Sequence, residues 1–236
     1  MTQPFLIKRI IEAAKIDLRM TYSSPTPVVG TLISRDEDGP DRKQEWKYRT
    51  LTGMLGYLQG TKMPDISMAT HRCAHFNSCL TLCHERSVKM ICKYLLDTND
   101  KGIIFQPDPT KGLECHVDAD FAGGWASGEH SNPEAVLSCT GFVISYAGCP
   151  IYWCSKIQTE ICLSTTEAEY VALSMAMREV LPFLNLMSEI RQFLPFADKN
   201  PNFFCTVCED NRSGIKVVES PKFTPRTKHI AMKYHQ

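Results

Sequence analysis

The spacing of apolar residues changes near residue 113, and this change constrains the fold more than any other feature of the sequence. Across 43–98, apolar side chains recur every three or four residues, the spacing of amphipathic α-helices. In 113-LECHVDADFA-122 they alternate with polar side chains. A period of two predicts a strand with two unlike faces. The chain therefore combines a helical region with a region that contains a sheet.

The helical region contains three predicted helices. The first covers 48-YRTLTGMLGYL-58 and ends at Gly60, the second begins at Pro64, and the third spans about 84–97. Proline is accepted in the first turn of a helix because its missing N–H has no partner there. A short strand, 103-IIF-105, is predicted to follow the third helix.

Two segments precede these helices. A short helix is predicted within residues 1–22. Residues 23–42 mix Pro, Gly, Ser and clustered acids, which is the composition of a linker.

The second region continues with a predicted hairpin, a long helix, a further strand and a short helix. These elements cover 141–148 and 150–157, joined tightly at Gly148-Cys149-Pro150, then 165–190, 203–209 and the residues after Asn211. The order β-β-β-α-β-α is typical of an α/β fold with a mixed sheet flanked by helices.

Composition excludes several classes of function. Lys plus Arg and Asp plus Glu both number 26, so the net charge offers no long-range attraction for a polyanion. Any nucleic-acid binding must therefore come from a local basic patch. No apolar run approaches the roughly 20 residues that cross a bilayer, so we expect no membrane partner.

The 11 cysteines are scattered through apolar segments, which indicates reduced thiols in an intracellular, cytoplasmic protein. A virus-like particle and the nucleus are the alternative locations. Cys205 and Cys208 have the spacing of a zinc-ligand pair. No second pair lies at finger spacing, which favours ordinary strand cysteines.

Acidic residues come in pairs at three predicted element ends. The pairs are Asp118 with Asp120, Glu167 with Glu169, and Glu209 with Asp210. Carboxylates from separate elements are suited to hold two Mg²⁺ ions for phosphoryl chemistry. The alternative is that they are solvated acids, the usual state of such residues.

Helix geometry separates the two glutamates of 164-STTEAEYVAL-173. Positions i and i+2 lie about 200° apart around a helix axis, so the two side chains face different neighbours. Glu167 follows Ser164 at capping-box spacing, which predicts that its side chain returns to the cap residue's N–H. Glu169 shares a stripe with Ala172, Leu173, Ala176 and Val180, which is the predicted sheet-facing side.

Several motifs in order resemble a known family. They are 118-DADFAGGW-125, 141-GFVISYAGCPIYWCSKIQT-159, 164-STTEAEYVAL-173, 209-EDNRSGI-215 and 225-PRTKHIAMKYH-235. Together they resemble the ribonuclease H domain of copia-type LTR-retrotransposon polyproteins. Residues 48–69 and 84–105 resemble the region that joins reverse transcriptase to that domain. The resemblance implies three parts: an N-terminal segment and linker (1–42), a reverse-transcriptase thumb/connection-like helical region (43–106) and a ribonuclease H-like domain (112–236).

The resemblance also implies the site residues. Asp118 matches the first catalytic aspartate, with Asp120 as the fallback, and Glu169 matches the catalytic glutamate that precedes x-x-Ala. Asp210, followed by Asn, matches the third carboxylate. Glu209 is predicted to point away because neighbours on a strand face opposite sides.

The implied activity is hydrolysis of the RNA strand of an RNA/DNA hybrid. Asp118, Glu169 and Asp210 would hold two Mg²⁺ ions, with Mn²⁺ as a substitute. Partners would be the hybrid and the remainder of the polyprotein. In the basic tail, Arg226, Lys228 and His229 would contact phosphates, or else form a solvated basic helix end.

Three departures from the family pattern favour an alternative function. Ala231 replaces an acidic residue, no Tyr-x-Asp-Asp polymerase motif occurs, and the family's last strand and helix, with a fourth carboxylate, have no counterpart before Gln236. The missing fourth carboxylate predicts weak or no cleavage by this chain, and the missing polymerase motif predicts no DNA synthesis. The alternative is a catalytically inactive retroelement remnant that binds nucleic acid or protein.

Overall fold

A computed structural model describes residues 3–16, 24–27, 39–43, 46–78, 80–123, 135–193 and 204–219. The chain divides into two compact units, with the main boundary between Ile104 and Phe105. Within the described residues, no helix is both long enough and apolar enough to cross a membrane. The ten cysteines among them are all free thiols.

The first unit is helical. Its helices are α1 (Pro4–Ala13), α2 (Tyr48–Thr61), α3 (Ser67–His75), which follows a 3₁₀ turn at Pro64–Ile66, and α4 (Leu82–Asp97). Their apolar stripes form one core, to which α1 contributes Ile7 and Ile10. The Tyr48 hydroxyl donates a hydrogen bond to the Cys73 carbonyl at 3.1 Å, which ties α2 to α3 inside this core.

Two local predictions for this region are wrong. Helix α2 passes through Gly60 and ends at Thr61, whose hydroxyl donates to the Tyr57 carbonyl at 2.8 Å and supports the last turn. Residues 103–105 form no strand. Ile104 is 83% exposed, so this apolar run is not covered by a sheet or core in the described structure.

The second unit is built on a four-stranded mixed sheet, as predicted. The strands are β1 (Leu113–Asp120), β2 (Cys139–Tyr146), β3 (Cys149–Ile157) and β4 (Cys205–Cys208), in the order β3-β2-β1-β4. Strands β1, β2 and β3 are antiparallel neighbours, whereas β4 pairs with β1 in parallel. Two helices complete the unit, α5 (Thr165–Arg191) and α6 (Arg212–Glu219). This architecture is the predicted α/β fold and is consistent with a ribonuclease H-like sheet.

A two-residue turn closes the β2–β3 hairpin. Ala147 and Gly148 have φ values of 51° and 72°, the left-handed conformations that the tightest hairpin turns require. The turn thus lies one residue earlier than predicted, and Cys149 and Pro150 belong to β3. Proline is accepted there because β3 is an edge strand and its residues need hydrogen bonds on one side only.

The alternating strand β1 buries one face against α5. Cys115 and Val117 pack in one core with Ile144 of β2 and with the predicted helix stripe, of which Ala172 and Ala176 are fully buried. Because alanine side chains are short, they let the helix axis approach the sheet closely. This packing fixes the position of the helix start relative to the end of β1.

The core of the second unit makes a direct stability prediction. Ile144 is fully buried, whereas Ile151 on the neighbouring edge strand is 41% exposed. Ile144→Ala is expected to lower the free energy of unfolding by about 2–5 kcal/mol, since it removes buried methyl groups and leaves a cavity. The matched control Ile151→Ala is expected to change it by about 0.5 kcal/mol or less. Urea denaturation measures both, and similar losses in the two variants would contradict this packing.

Candidate functional site

Three carboxylates from three separate elements converge at one end of the sheet. Asp118 lies near the end of β1, Glu169 in the first turns of α5, and Asp210 just after β4. Each offers one carboxylate oxygen, and these oxygens all lie within 4.8 Å of one another. Glu169 is buried, while Asp118 and Asp210 are exposed. The structure therefore brings together the three residues that sequence motifs singled out.

Strand register explains why the two aspartates meet. Strands β1 and β4 run in parallel, and their last paired residues are His116 and Cys208. Asp118 and Asp210 each follow this pair by two residues. Parallel strands deliver equivalent positions to the same edge of the sheet, so the two carboxylates leave it side by side.

Glu169 reaches the site from the helix. It begins the stripe that continues through Ala172, Ala176 and Val180, all fully buried. The Ala119 backbone N–H donates a hydrogen bond to its carboxylate. Glu169 is only 6% exposed, and its Oε2 atom is buried without a hydrogen-bond partner. A buried, unpartnered carboxylate oxygen is costly and calls for a cation or a proton.

Burial and neighbouring negative charges both raise the pKa of the Glu169 carboxyl group. Desolvation is the largest cause, followed by the charges of Glu209, Asp118 and Asp210, and together they raise the pKa of Glu169 to about 7. Without a bound cation, Glu169 therefore takes up a proton near neutral pH.

Glu167 has a different job, as helix geometry predicted. The Ser164 hydroxyl accepts a hydrogen bond from the Glu167 N–H at 3.1 Å, which caps α5. The Glu167 carboxylate, 1% exposed, accepts from the Leu163 N–H at 2.7 Å. The Glu167 carboxylate thus accepts from the N–H of Leu163, whereas the capping box predicted the N–H of Ser164. The two glutamates are both buried, but Glu167 closes the helix start and Glu169 faces the carboxylate cluster.

Asp120, the fallback for the first site position, is placed differently. It is not one of the three carboxylates that share the 4.8 Å cluster. Its carboxylate instead packs so closely on Gly123 that a Cβ atom at that position would overlap it. Any side chain at position 123 would therefore displace the carboxylate of Asp120, the last residue of β1.

Glu209 is not one of the three carboxylates whose oxygens lie within 4.8 Å of one another, and its direction stays a prediction. Strand β4 ends at Cys208, so the alternation of faces no longer governs the next residue. Glu209 Oε1 accepts a hydrogen bond from the Asn211 N–H at 3.0 Å, while Oε2 is buried without a partner. Desolvation is the main cause that raises the pKa of Glu209, with Asp210 and Asp118 adding to it.

Asn211 explains why the chain turns directly after Asp210. Its side-chain oxygen accepts hydrogen bonds from the Ser213 and Gly214 N–H groups at 2.9 and 3.2 Å, which caps the start of α6. Gly214 in turn comes close to Glu169, since a Cβ atom there would lie 3.5 Å from the Glu169 Cβ. Helix α6 thus packs directly beside the candidate site.

Gln158 is a supporting residue that the sequence did not reveal. It is 1% exposed, and its Nε2 atom donates to Thr140 Oγ1 at 3.0 Å and to the Ala168 carbonyl at 2.9 Å. Cys162 Sγ donates to its Oε1 atom at 3.0 Å. Because Thr140 lies on β2 and Ala168 precedes Glu169, this amide ties the helix start to β2, the neighbour of the strand that carries Asp118.

The donor chemistry of the cluster fits a hard divalent cation. Carboxylate oxygens are the ligands that Mg²⁺ prefers, and the buried Glu169 oxygen lacks any partner. Among the described residues, no Lys or Arg forms an ion pair with Asp118, Glu169 or Asp210. Arg226, Lys228 and His229, the predicted phosphate contacts, lie outside the described residues.

The raised pKa of Glu169 predicts how stability depends on pH in the metal-free protein. The folded state binds this proton more tightly than the unfolded chain, so the stabilisation is present below the ordinary pKa of 4.5 and is lost as pH rises through about 7. Glu169→Gln cannot ionise. We measure Tm by thermal unfolding in EDTA and subtract the Tm of Glu169→Gln from that of the wild type. We expect this difference to decrease as the pH rises from acidic to mildly alkaline. A difference that stays constant across this range would contradict the raised pKa.

Comparison with known proteins places the chain among transposon polyproteins. It is 32% identical over 189 residues to the retrovirus-related Pol polyprotein from transposon RE1 of Arabidopsis thaliana, and 31% identical over the same length to that from transposon RE2. These matches cover 80% of this chain and 12% of each relative. The polyprotein from transposon TNT 1-94 of Nicotiana tabacum is 28% identical over 242 residues, which cover this whole chain and 17% of the relative.

No family model matches the chain, and no solved structure matches it. The chain spans less than a fifth of the length of these three relatives. The motifs that contain Asp118, Glu169 and Asp210 lie on the elements that build the carboxylate cluster, and the polyprotein matches extend over most of the chain. The chain therefore belongs to the retrovirus-related Pol polyproteins of copia-type transposons and corresponds to a segment of them.

Proposed function

We propose that the second unit is a ribonuclease H-type nuclease domain that hydrolyses the RNA strand of RNA/DNA hybrids with two Mg²⁺ ions. The observation that carries this proposal is the convergence of Asp118, Glu169 and Asp210 within 4.8 Å, from three elements of a mixed sheet and its long helix. Membership of the retrovirus-related Pol polyproteins of copia-type transposons adds support, because the motif resemblance to a ribonuclease H domain is to polyproteins of this family.

The three carboxylates would hold the ions. When bound, Mg²⁺ supplies the charge that activates a water molecule and stabilises the departing 3′ oxygen of the cleaved strand. Mn²⁺ is a suitable substitute because it accepts the same oxygen ligands. The exposure of Asp118 and Asp210 leaves the outer side of the cluster open to a phosphate group, whereas Glu169 lies behind them.

The residues around the ligands keep them in place. The Ala119 N–H fixes the Glu169 carboxylate, and the buried Gln158 amide ties the start of α5 to β2. The Asn211 cap fixes the chain just after Asp210. A site held by strands, a capped helix and buried hydrogen bonds is rigid, and rigid placement of the reacting groups is a large part of catalysis.

The substrate would be read by shape. RNA/DNA hybrids are distinguished from DNA duplexes mainly through groove shape and 2′-OH contacts rather than base edges. Arg226, Lys228 and His229 are the proposed phosphate contacts, and the remainder of the polyprotein is the proposed protein partner. The free thiols of the described chain fit a reducing compartment such as the cytoplasm.

The two neighbouring glutamates provide a matched test of this function. We expect Glu169→Gln to abolish Mg²⁺-dependent cleavage of a labelled RNA/DNA hybrid, because it removes a ligand of the ions. Glu167→Gln is expected to retain the cleavage rate and to lower the free energy of unfolding by about 1 kcal/mol, as for a weakened helix cap. A DNA duplex of the same sequence serves as the substrate control.

The assay is run on this chain and on a version continued at its C-terminus with the matching segment of the RE1 relative. That version provides a measurable rate if the shorter chain cleaves slowly. Equal loss of activity in both glutamate variants, with folding intact, would contradict the assignment, as would cleavage that persists in Glu169→Gln.

A further inference from the structure

We infer that Gln158 and Ser138 are positioning residues of the candidate cation site, and that their buried hydrogen bonds set how close Glu169 lies to Asp118. The inference rests on the proposed function, because it concerns the same carboxylates. It goes further by assigning the geometry of the site to two uncharged side chains, which are 1% and 0% exposed.

The side chain of Gln158 is fully engaged inside the protein. Its Nε2 atom donates to the Ala168 carbonyl at 2.9 Å and to Thr140 Oγ1 at 3.0 Å, and its Oε1 atom accepts from Cys162 Sγ at 3.0 Å. Gln158, Thr140 and Ala168 are buried, so water does not compete for these bonds. A buried amide whose donors and acceptor are all bonded favours one arrangement of the groups around it.

The bond to Ala168 acts on the residue next to Glu169. Within a helix, this carbonyl is already the acceptor for an N–H four residues later. The Gln158 bond is therefore an additional tie from outside the helix. Because Gln158 directly follows β3 and Thr140 lies on β2, a shift of the helix start along the sheet would break these hydrogen bonds.

Ser138 extends the network to the end of β1. Its carbonyl accepts the Gln158 N–H at 2.8 Å, and its hydroxyl accepts the Ala122 N–H at 3.2 Å. Ala122 has a φ of 47°, a conformation that alanine rarely adopts, so this hydrogen bond supports the turn that follows β1. The network thus joins the segment that carries Asp118 to the helix turn that carries Glu169.

The apolar core does not replace these hydrogen bonds. Among the residues of α5, the core cluster begins at Ala172, so it sets the helix axis but ends about one turn short of Glu169. The first turn is held instead by the Ser164 cap and by the Gln158 bond to Ala168. The position of the Glu169 carboxylate therefore depends on polar contacts that a change in the core does not alter.

The test is a Mn²⁺ titration of the full chain, followed by the loss of the free-ion signal in electron paramagnetic resonance, with Tm measured in EDTA. Gln158→Met keeps the length of the side chain but removes its hydrogen bonds. We expect it to weaken Mn²⁺ binding about tenfold, the usual effect of losing a partner that orients a metal ligand.

Val180→Ala is the control for lost stability. Val180 is fully buried in the same core and lies about three turns beyond Glu169 on α5. We expect this variant to lower Tm in EDTA as Gln158→Met does, and yet to bind Mn²⁺ with wild-type affinity.

A milder pair of variants decides the question if Gln158→Met does not fold. Thr140→Val keeps the shape of the side chain and removes the acceptor of one Gln158 hydrogen bond, whereas Thr140→Ser keeps that acceptor. We expect Thr140→Val to weaken Mn²⁺ binding and Thr140→Ser to bind as wild type does.

Three results would overturn the inference. Wild-type affinity in folded Gln158→Met, or in Thr140→Val if the former does not fold, would leave the proposed function standing, provided that Glu169→Gln abolishes binding. Equal weakening in Val180→Ala would assign the effect to lost stability rather than to position. If wild type binds no Mn²⁺, the proposed function and the inference both fail.

Discussion

The parallel pairing of β4 with β1 is the constraint on which the candidate site depends. Because the two strands run in parallel, Asp118 and Asp210 lie at equivalent positions at the same edge of the sheet. The alanine stripe of α5 then sets how close Glu169 comes to them, because short side chains bring the helix onto β1 and β2. The arrangement therefore follows from backbone register and from side-chain size in the core, before any carboxylate interacts with another.

This arrangement has an electrostatic cost in the metal-free protein. Glu169 is buried beside three other carboxylates, and its raised pKa reports that its charged form is disfavoured. The surrounding structure offsets this cost through a capped helix, the Gln158 hydrogen bonds and a well-filled apolar core. A cation bound at the cluster would turn repulsion into attraction. Stability and metal binding are therefore linked through the same side chains.

The sequence predicted the elements well where the hydrophobic period was clear. The alternation in β1 and the stripe on α5 predicted the faces that are buried, and helix geometry separated Glu167 from Glu169. The isolated run at 103–105 was misread because apolar composition alone does not provide a partner strand. The tight hairpin was placed one residue late because the turn uses Ala147, which sequence statistics disfavour in that conformation.

The surroundings of the site were harder to predict for physical reasons. Strand β4 ends at Cys208, one residue earlier than the hydrophobic pattern suggested, because apolar alternation does not mark where pairing with a neighbouring strand stops. Gln158 bonds to groups 10 and 18 residues away, and such partners depend on tertiary packing. The motif resemblance selected Asp118, Glu169 and Asp210, whereas their mutual distance could come only from the fold.

The most direct test of the central claim is anomalous diffraction from crystals of the chain grown with Mn²⁺. The structure predicts an anomalous peak within coordinating distance of the Asp118, Glu169 and Asp210 carboxylates, with the Glu169 Oε2 atom among the ligands. Full Mn²⁺ occupancy elsewhere on the protein with no peak at this cluster, or a Glu169 side chain directed away from Asp118, would contradict it.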